Sequence, residues 1–133
     1  MKYMLDTNIC IYIIKQKPAV VLERFKQSDI SDISISSITL SELFYGVSKS
    51  PKPEQNLMAL TQFVAPLDIL PFGGEAAQYY GELRAHLEKQ GTPIGSLDML
   101  IAAHALSIAG ILVTNNEKEF KRVLNLNIEN WAS

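Results

Sequence analysis

The chain has 133 residues, 47% of them hydrophobic and 20% charged, with a formal net charge of −2. That length suits one domain with its own core, and the single cysteine, Cys10, excludes an internal disulfide and fits a reducing compartment. The charge balance excludes a strongly cationic nucleic-acid binder in bulk; with no apolar run near the ~20 residues of a membrane span and no signal-peptide pattern after Met1-Lys2, the expectation is a cytoplasmic protein.

Strand-like and helix-like stretches alternate along the chain. Lys2–Leu5 predicts a short buried strand, and the apolar run after it a helix over Thr7–Lys15, with Cys10 as a small core residue. A helix over Pro18–Gln27 follows, Pro18 suiting its first turn. Ile33–Ser36 predicts a strand, and Thr39–Lys49 a helix ended by Ser50-Pro51. Pro53–Val64 places Leu57, Leu60 and Val64 at helical spacing. Leu67–Leu70 is the third strand, and Gly74–Gln90 the longest helix, closed by Gly91 and Pro93. Ser96–Ile108 is the most apolar helix, stopped by Gly110. Ile111–Thr114 is a fourth strand, Glu117–Arg122 a short helix, and Leu126–Ile128 an edge strand. The order argues for a three-layer α/β fold: a central, mostly parallel sheet of four to five strands covered by helices on both faces, in one domain spanning residues 1–133.

Acidic and polar residues cluster at the ends of these elements. Asp6 falls between the first strand and the first helix. Glu42 opens a helix in Thr39-Leu40-Ser41-Glu42-Leu43. Asp98 lies in the first turn of the apolar helix, after Gly95-Ser96-Leu97. Thr114-Asn115-Asn116-Glu117-Lys118-Glu119 follows the fourth strand. Each has a local explanation. Asp6 can cap the helix after it, Thr39 with Glu42 and Asn116 with Glu119 fit capping boxes, and a helix dipole favours Asp98 in a first turn by about 0.3–1 kcal/mol. Together they suggest more, because a parallel sheet gathers such points on one edge. Carboxylates meeting there repel one another and lose hydration. A hard divalent cation with oxygen ligands, magnesium above all, offsets that cost and assists phosphodiester hydrolysis. No Gly-rich phosphate loop, zinc-spaced Cys/His set or nucleophile elbow competes with this reading.

Four segments carry a family resemblance: Leu5-Asp6-Thr7-Asn8; Ser41-Glu42-Leu43 leading to Tyr45-Gly46; Asp98 followed by Ile101-Ala102-Ala103-His104-Ala105; and Val113-Thr114-Asn115-Asn116. In these segments, and in their order from about residue 2 to Trp131, the chain resembles the PIN-domain ribonucleases, and among them the VapC toxins of type II toxin–antitoxin pairs. The resemblance implies a Mg2+-dependent endoribonuclease, with Mn2+ as a substitute, that cuts structured RNA such as initiator tRNA to 3′-hydroxyl and 5′-phosphate ends. It implies Asp6 and Asp98 as metal ligands, and Asp6, Glu42, Asp98 and Glu119 as the catalytic carboxylates, with Asn8, Thr114 and Asn116 as supporting polar groups. The family commonly has an aspartate where this chain has Asn116, so Glu119, ahead of Glu117, is the expected replacement and a second metal site would be the weaker one. The implied partners are a VapB-type antitoxin, RNA, and a second copy of the chain within a toxin–antitoxin hetero-oligomer.

Ile11, Ile14, Phe44, Tyr45 and Val47 are the expected apolar positions of an antitoxin groove, with ordinary core as their other reading. Lys15 and Lys118 are the expected phosphate contacts of RNA, and His104, in an apolar helix, is expected to be a satisfied core residue. Two other readings of the acidic set stand beside this one: a receiver-like signalling module with a magnesium pocket, and an inactive PIN-like fold that only binds.

Overall fold

The computed structural model describes all 133 residues. Five parallel strands form one sheet: β1 (Tyr3–Leu5), β2 (Ile33–Ser36), β3 (Asp68–Leu70), β4 (Ile111–Val113) and β5 (Asn127–Glu129), in the order β3-β2-β1-β4-β5. The helices are α1 (Thr7–Lys15), α2 (Ala19–Gln27), α3 (Ser37–Ser48), α4 (Pro53–Val64), α5 (Gly74–Gln90), α6 (Ser96–Ser107) and α7 (Glu117–Phe120). A single 3-10 turn covers Ile30–Asp32, where Asp29 accepts from the Ser31 N–H.

The strands are apolar because both sheet faces are covered, and side chains alternate between the two. Leu5 and Val113, with Ile33 and Ile35, enter a cluster with Ile9, Ile13, Val21, Leu43 and Leu60 from α1 to α4. Their neighbours Met4 and Leu112 point the other way, into a cluster with Leu83, Leu87, Met99, Ala102 and Phe120 from α5, α6 and α7. Each fully buried large aliphatic side chain contributes roughly 1.5–3 kcal/mol by leaving water. Cys10 is wholly buried in the first cluster, as its apolar setting suggests.

The chain lays β2 and β3 to one side of β1 and β4 and β5 to the other, so the order of strands reverses between β1 and β4. In a parallel sheet this opens a crevice beyond the carboxyl ends of that pair. Leu5 is in register with Val113, and the Asp6 N–H donates to the Val113 carbonyl at 3.0 Å. Asp6 and Thr114 therefore stand side by side at the crevice.

Several element ends differ from expectation. α3 begins at Ser37, because Ser36 is its cap and accepts the Ile38 N–H at 3.1 Å. The Thr39–Glu42 capping box does not form: Thr39 is already inside the helix, its hydroxyl buried without a partner. Pro18 precedes α2 in extended conformation instead of joining its first turn. Gly91 does close α5, with φ of 70° and its N–H on the carbonyls of Leu87 and Glu88, a left-handed cap that glycine adopts without steric cost.

Candidate active site

Asp6 leaves β1 in extended conformation and caps α1, its Oδ1 accepting the Ile9 N–H at 2.9 Å. The cap explains its local placement but not its burial. Asp6 is only 5% exposed, and that burial is the main reason its carboxyl is pushed above the usual carboxylate range. The Thr114 hydroxyl and the N–H groups of Ile9 and Asn8 partly offset the rise, and the charge of Glu42 adds to it. Asn8 serves through its backbone, its side chain being exposed. The Thr114 hydroxyl also accepts the Asn116 N–H at 2.9 Å, which folds the turn after β4 toward the crevice.

Glu42 lies in the second turn of α3, where Thr7 donates to its Oε1 at 2.6 Å across 35 residues of sequence. Thr7 was not singled out from the sequence, although its place beside Asp6 was the available signal. Asp98 lies in the first turn of α6 and is half-buried. Its carboxyl is pushed up to about 6, first by burial and then by the charges of Glu119, Asp6 and Glu42. The other three carboxylates thus bear on Asp98 at the carboxyl edge. None of the four takes part in an ion pair.

Glu119 is held by two hydrogen bonds. Its Oε1 accepts the Gly95 N–H at 2.6 Å and its Oε2 the Asn116 side-chain amide at 2.7 Å. These bonds, helped by the charge of Arg122, hold its carboxyl below the usual range. Asn116 stands at the start of α7 but makes no side-chain bond to the helix backbone, so its pairing with Glu119 replaces the expected capping box. A side chain at Gly95 would face both Asp98 Oδ2, at 3.5 Å, and Glu119 Oε1, at 3.6 Å. The two carboxylates therefore border the same small space. Glu117 points elsewhere, accepting from Asn130 at 3.0 Å.

This set has the chemistry of a hard-cation site: carboxylate oxygens, partial burial and repulsion at Asp98, with no ion pair to a lysine or arginine. It is not a closed shell, since no three acidic, His or Cys side chains converge as finished ligands while Thr7, Gly95 and Asn116 hold Glu42 and Glu119. The donors suit a divalent ion that keeps several waters.

Beside Glu42 runs a groove of about 390 Å3 between α1, α3 and α4. Ile11, Ile14, Val47 and Leu60 line it, with Lys15 at its border. Phe44 and Tyr45 do not, contrary to expectation: they sit on the outer side of α3, 46% and 65% exposed, with Lys49 over the Tyr45 ring at 4.8 Å. Lys118 is exposed on α7. Arg122 donates to the Pro93 carbonyl at 2.9 Å. His104 is buried and bonded to Ser36, as a core histidine should be.

Comparisons with known proteins give one family. The PIN domain model matches residues 3–125. The chain is 49% identical over 132 residues to the tRNA(fMet)-specific endonuclease VapC of Shigella flexneri, covering 99% of each, and 51% identical to ribonuclease VapC2 of Rickettsia felis, covering 98% of each. Among solved structures, it superposes on VapBC from Salmonella typhimurium, which is bound to DNA, with a TM-score of 0.93 at 46% identity and 98% coverage of each chain. It also matches VapBC2 from Rickettsia felis, bound to a promoter DNA fragment, with a TM-score of 0.90 at 49% identity, covering 98% of this chain and 99% of that one.

Proposed function

The chain belongs to the PIN-domain family, as a VapC-type ribonuclease, and on that premise we propose that the carboxyl edge between β1 and β4 is its Mg2+-dependent active centre. Nucleases of this family generally depend on a divalent metal. The observation that carries the proposal is Asp98. Three other carboxylates press on it, and no lysine or arginine forms an ion pair with any of the four.

Asp6 and Asp98 hold the ion in this reading, Mg2+ or Mn2+ in its place, with Thr114 and the α1 N-terminus fixing the Asp6 carboxylate. The bound ion supplies charge stabilisation to the phosphate oxygens and makes water more acidic. Glu42, anchored through one oxygen by Thr7, presents its other oxygen to a water aimed at the phosphorus. Glu119 steadies the start of α6 through Gly95 and fills the role of the carboxylate that Asn116 lacks. Hydrolysis adds water across the phosphodiester, breaks the P–O3′ bond and leaves a 3′-hydroxyl and a 5′-phosphate. Lys15 and Lys118 lie where they can meet flanking phosphates.

The substrate is structured RNA, with initiator tRNA proposed from the named activity of the Shigella flexneri relative. The partner is a VapB-type antitoxin whose apolar side chains enter the Ile11–Ile14–Val47 groove and whose basic group reaches the carboxylates, within a hetero-oligomer built on a homodimer. No helix is long and apolar enough to cross a membrane. The receiver-like and inactive-fold readings find no support beside relatives named as ribonucleases over the full chain. The test is induced expression of wild type and Asp6→Asn with end-mapping of cellular RNA. Wild type should leave new 5′-phosphate ends in tRNA and Asp6→Asn none; equal cutting by both would sink the assignment of Asp6.

A further inference from the structure

A buried polar contact ties together the elements that carry the carboxylates. Ser36 ends β2 and caps α3, its Oγ accepting the Ile38 N–H at 3.1 Å. The same oxygen lies 2.7 Å from Nδ1 of His104, which is 2% exposed and lies six residues beyond Asp98 on α6. A serine hydroxyl has one proton and two acceptor sites. With the Ile38 N–H on one lone pair, the Ser36 hydroxyl still has its proton and a second lone pair for the His104 ring, so the pair forms with Nδ1 as acceptor or as donor. Burial pushes the His104 pKa down, which keeps the ring neutral. The ring stands edge-on to Phe72 at 5.5 Å, and the Phe72 N–H donates to Ser37 Oγ at 3.0 Å. Three segments therefore meet at one imidazole: the β2–α3 junction, the turn after β3, and α6.

We infer that Ser36 and His104 form a positioning pair that sets the stance of α6 against the β2–α3 junction, and so places Asp98 relative to Asp6 and Glu42. The inference rests on the nuclease reading of those carboxylates. α6 is the only element among the carriers of Asp6, Glu42 and Asp98 that does not leave the carboxyl end of a strand directly; α1 follows β1 and α3 follows β2 without a loop. Its place is set by side-chain contacts, and most of those are apolar and unspecific in register: Met99, Ile101, Ala102, Ala103 and Ala105 are all buried. The hydrogen bond to Ser36 is directional. Asp98 lies about 9 Å along the helix from His104, at ~1.5 Å rise per residue, so a shift of the helix at His104 is carried to the carboxylate.

The test compares two variants with wild type. His104→Phe keeps a ring against Phe72 but has no acceptor. His104→Asn places a polar side-chain atom near the former Nδ1 and can still bond to Ser36. Mn2+ binding is read by calorimetry, beside the KM and kcat of RNA cleavage and thermal melting. His104→Phe should bind Mn2+ about tenfold more weakly, the range seen when the partner that orients a ligand is lost, and lose kcat with KM for RNA unchanged. His104→Asn should stay within about threefold of wild type. Wild-type Mn2+ affinity in folded His104→Phe overturns the inference, as does equal damage in both variants. Should His104→Phe not fold, Ser36→Ala, which keeps the imidazole, must show the same weakening, and wild-type affinity in it is equally fatal. If wild type itself neither binds Mn2+ nor cuts RNA, the nuclease reading has failed instead.

Discussion

Charge is treated differently at the crevice and elsewhere on this sheet. At the amino ends of the strands, Lys2 Nζ stands 2.8 Å from Asp68 Oδ2, joining the approach to β1 with the start of β3. At the carboxyl end of the edge strand β5, outside the crevice, Glu129 is met by Arg24 at 3.3 Å and by the Trp131 indole N–H at 3.1 Å. At the carboxyl ends of β1 and β4, Asp6, Glu42, Asp98 and Glu119 gather without an ion pair. Where a charge serves the fold, the chain supplies its partner. Where the strand order reverses, it supplies hydroxyls and N–H groups that orient carboxylates but do not neutralise them. Such an edge is less stable than it could be on its own, and is complete only with something taken from solution.

Exchanging one carboxylate in each place gives the largest contrast. Asp6→Asn should lower single-turnover RNA cleavage by more than about 100-fold, since a ligand is lost outright. Asp68→Asn should change it by less than about twofold, because exposed ion pairs contribute little. Comparable losses in the two proteins would erase the distinction. A smaller effect is expected from pH. The proton on Asp98 competes with metal, and its carboxyl is held at about 6, so the apparent Mg2+ affinity should strengthen up to about tenfold between pH 5 and pH 7. Calorimetric titrations at the two values check this, and a flat response would mean that Asp98 is not a ligand.

The smallest effect concerns a polar group of no evident use. The Thr39 hydroxyl is buried without a partner, and an unmade hydrogen bond costs roughly 1–3 kcal/mol. Thr39→Val should therefore raise stability to denaturant by about 1 kcal/mol and leave cleavage unchanged. A destabilised variant would show that the hydroxyl does have a partner.

Much of this arrangement was readable along the chain, because the relevant signals are local. Strand–helix alternation, the Gly91 stop and the Asp6 cap each depend on neighbours in sequence. The parallel sheet follows from that alternation, and the acidic edge follows from the sheet. What escaped were contacts between distant residues. The start of α3 was misplaced because two serines precede Thr39, and only Ser36 has the extended backbone that caps the helix. Glu42 fits a capping box by spacing, yet its partner is Thr7, 35 residues away. His104 reads as a core residue, and nothing nearby points to Ser36 across 68 positions. Phe44 and Tyr45 have the composition of a groove, but the rotation of α3 turns them outward.

The central claim is that Asp6 and Asp98 at the carboxyl edge are strained until a metal binds. Asp98 bears most of that strain. Its folded pKa, about 6, lies above the ordinary 3.8, so the folded protein binds the extra proton between those values, and metal-free stability falls as pH rises from about 4 to about 6. The most direct measurement is thermal melting of wild type and Asp98→Asn at pH 7.5, in chelator and in Mg2+. In chelator, Asp98→Asn should melt above wild type; adding Mg2+ should raise the wild-type midpoint and leave that of the variant nearly unmoved. A variant that melts below wild type in chelator, with Mg2+ moving neither protein, would contradict the account and leave Asp98 as no more than a helix-end residue.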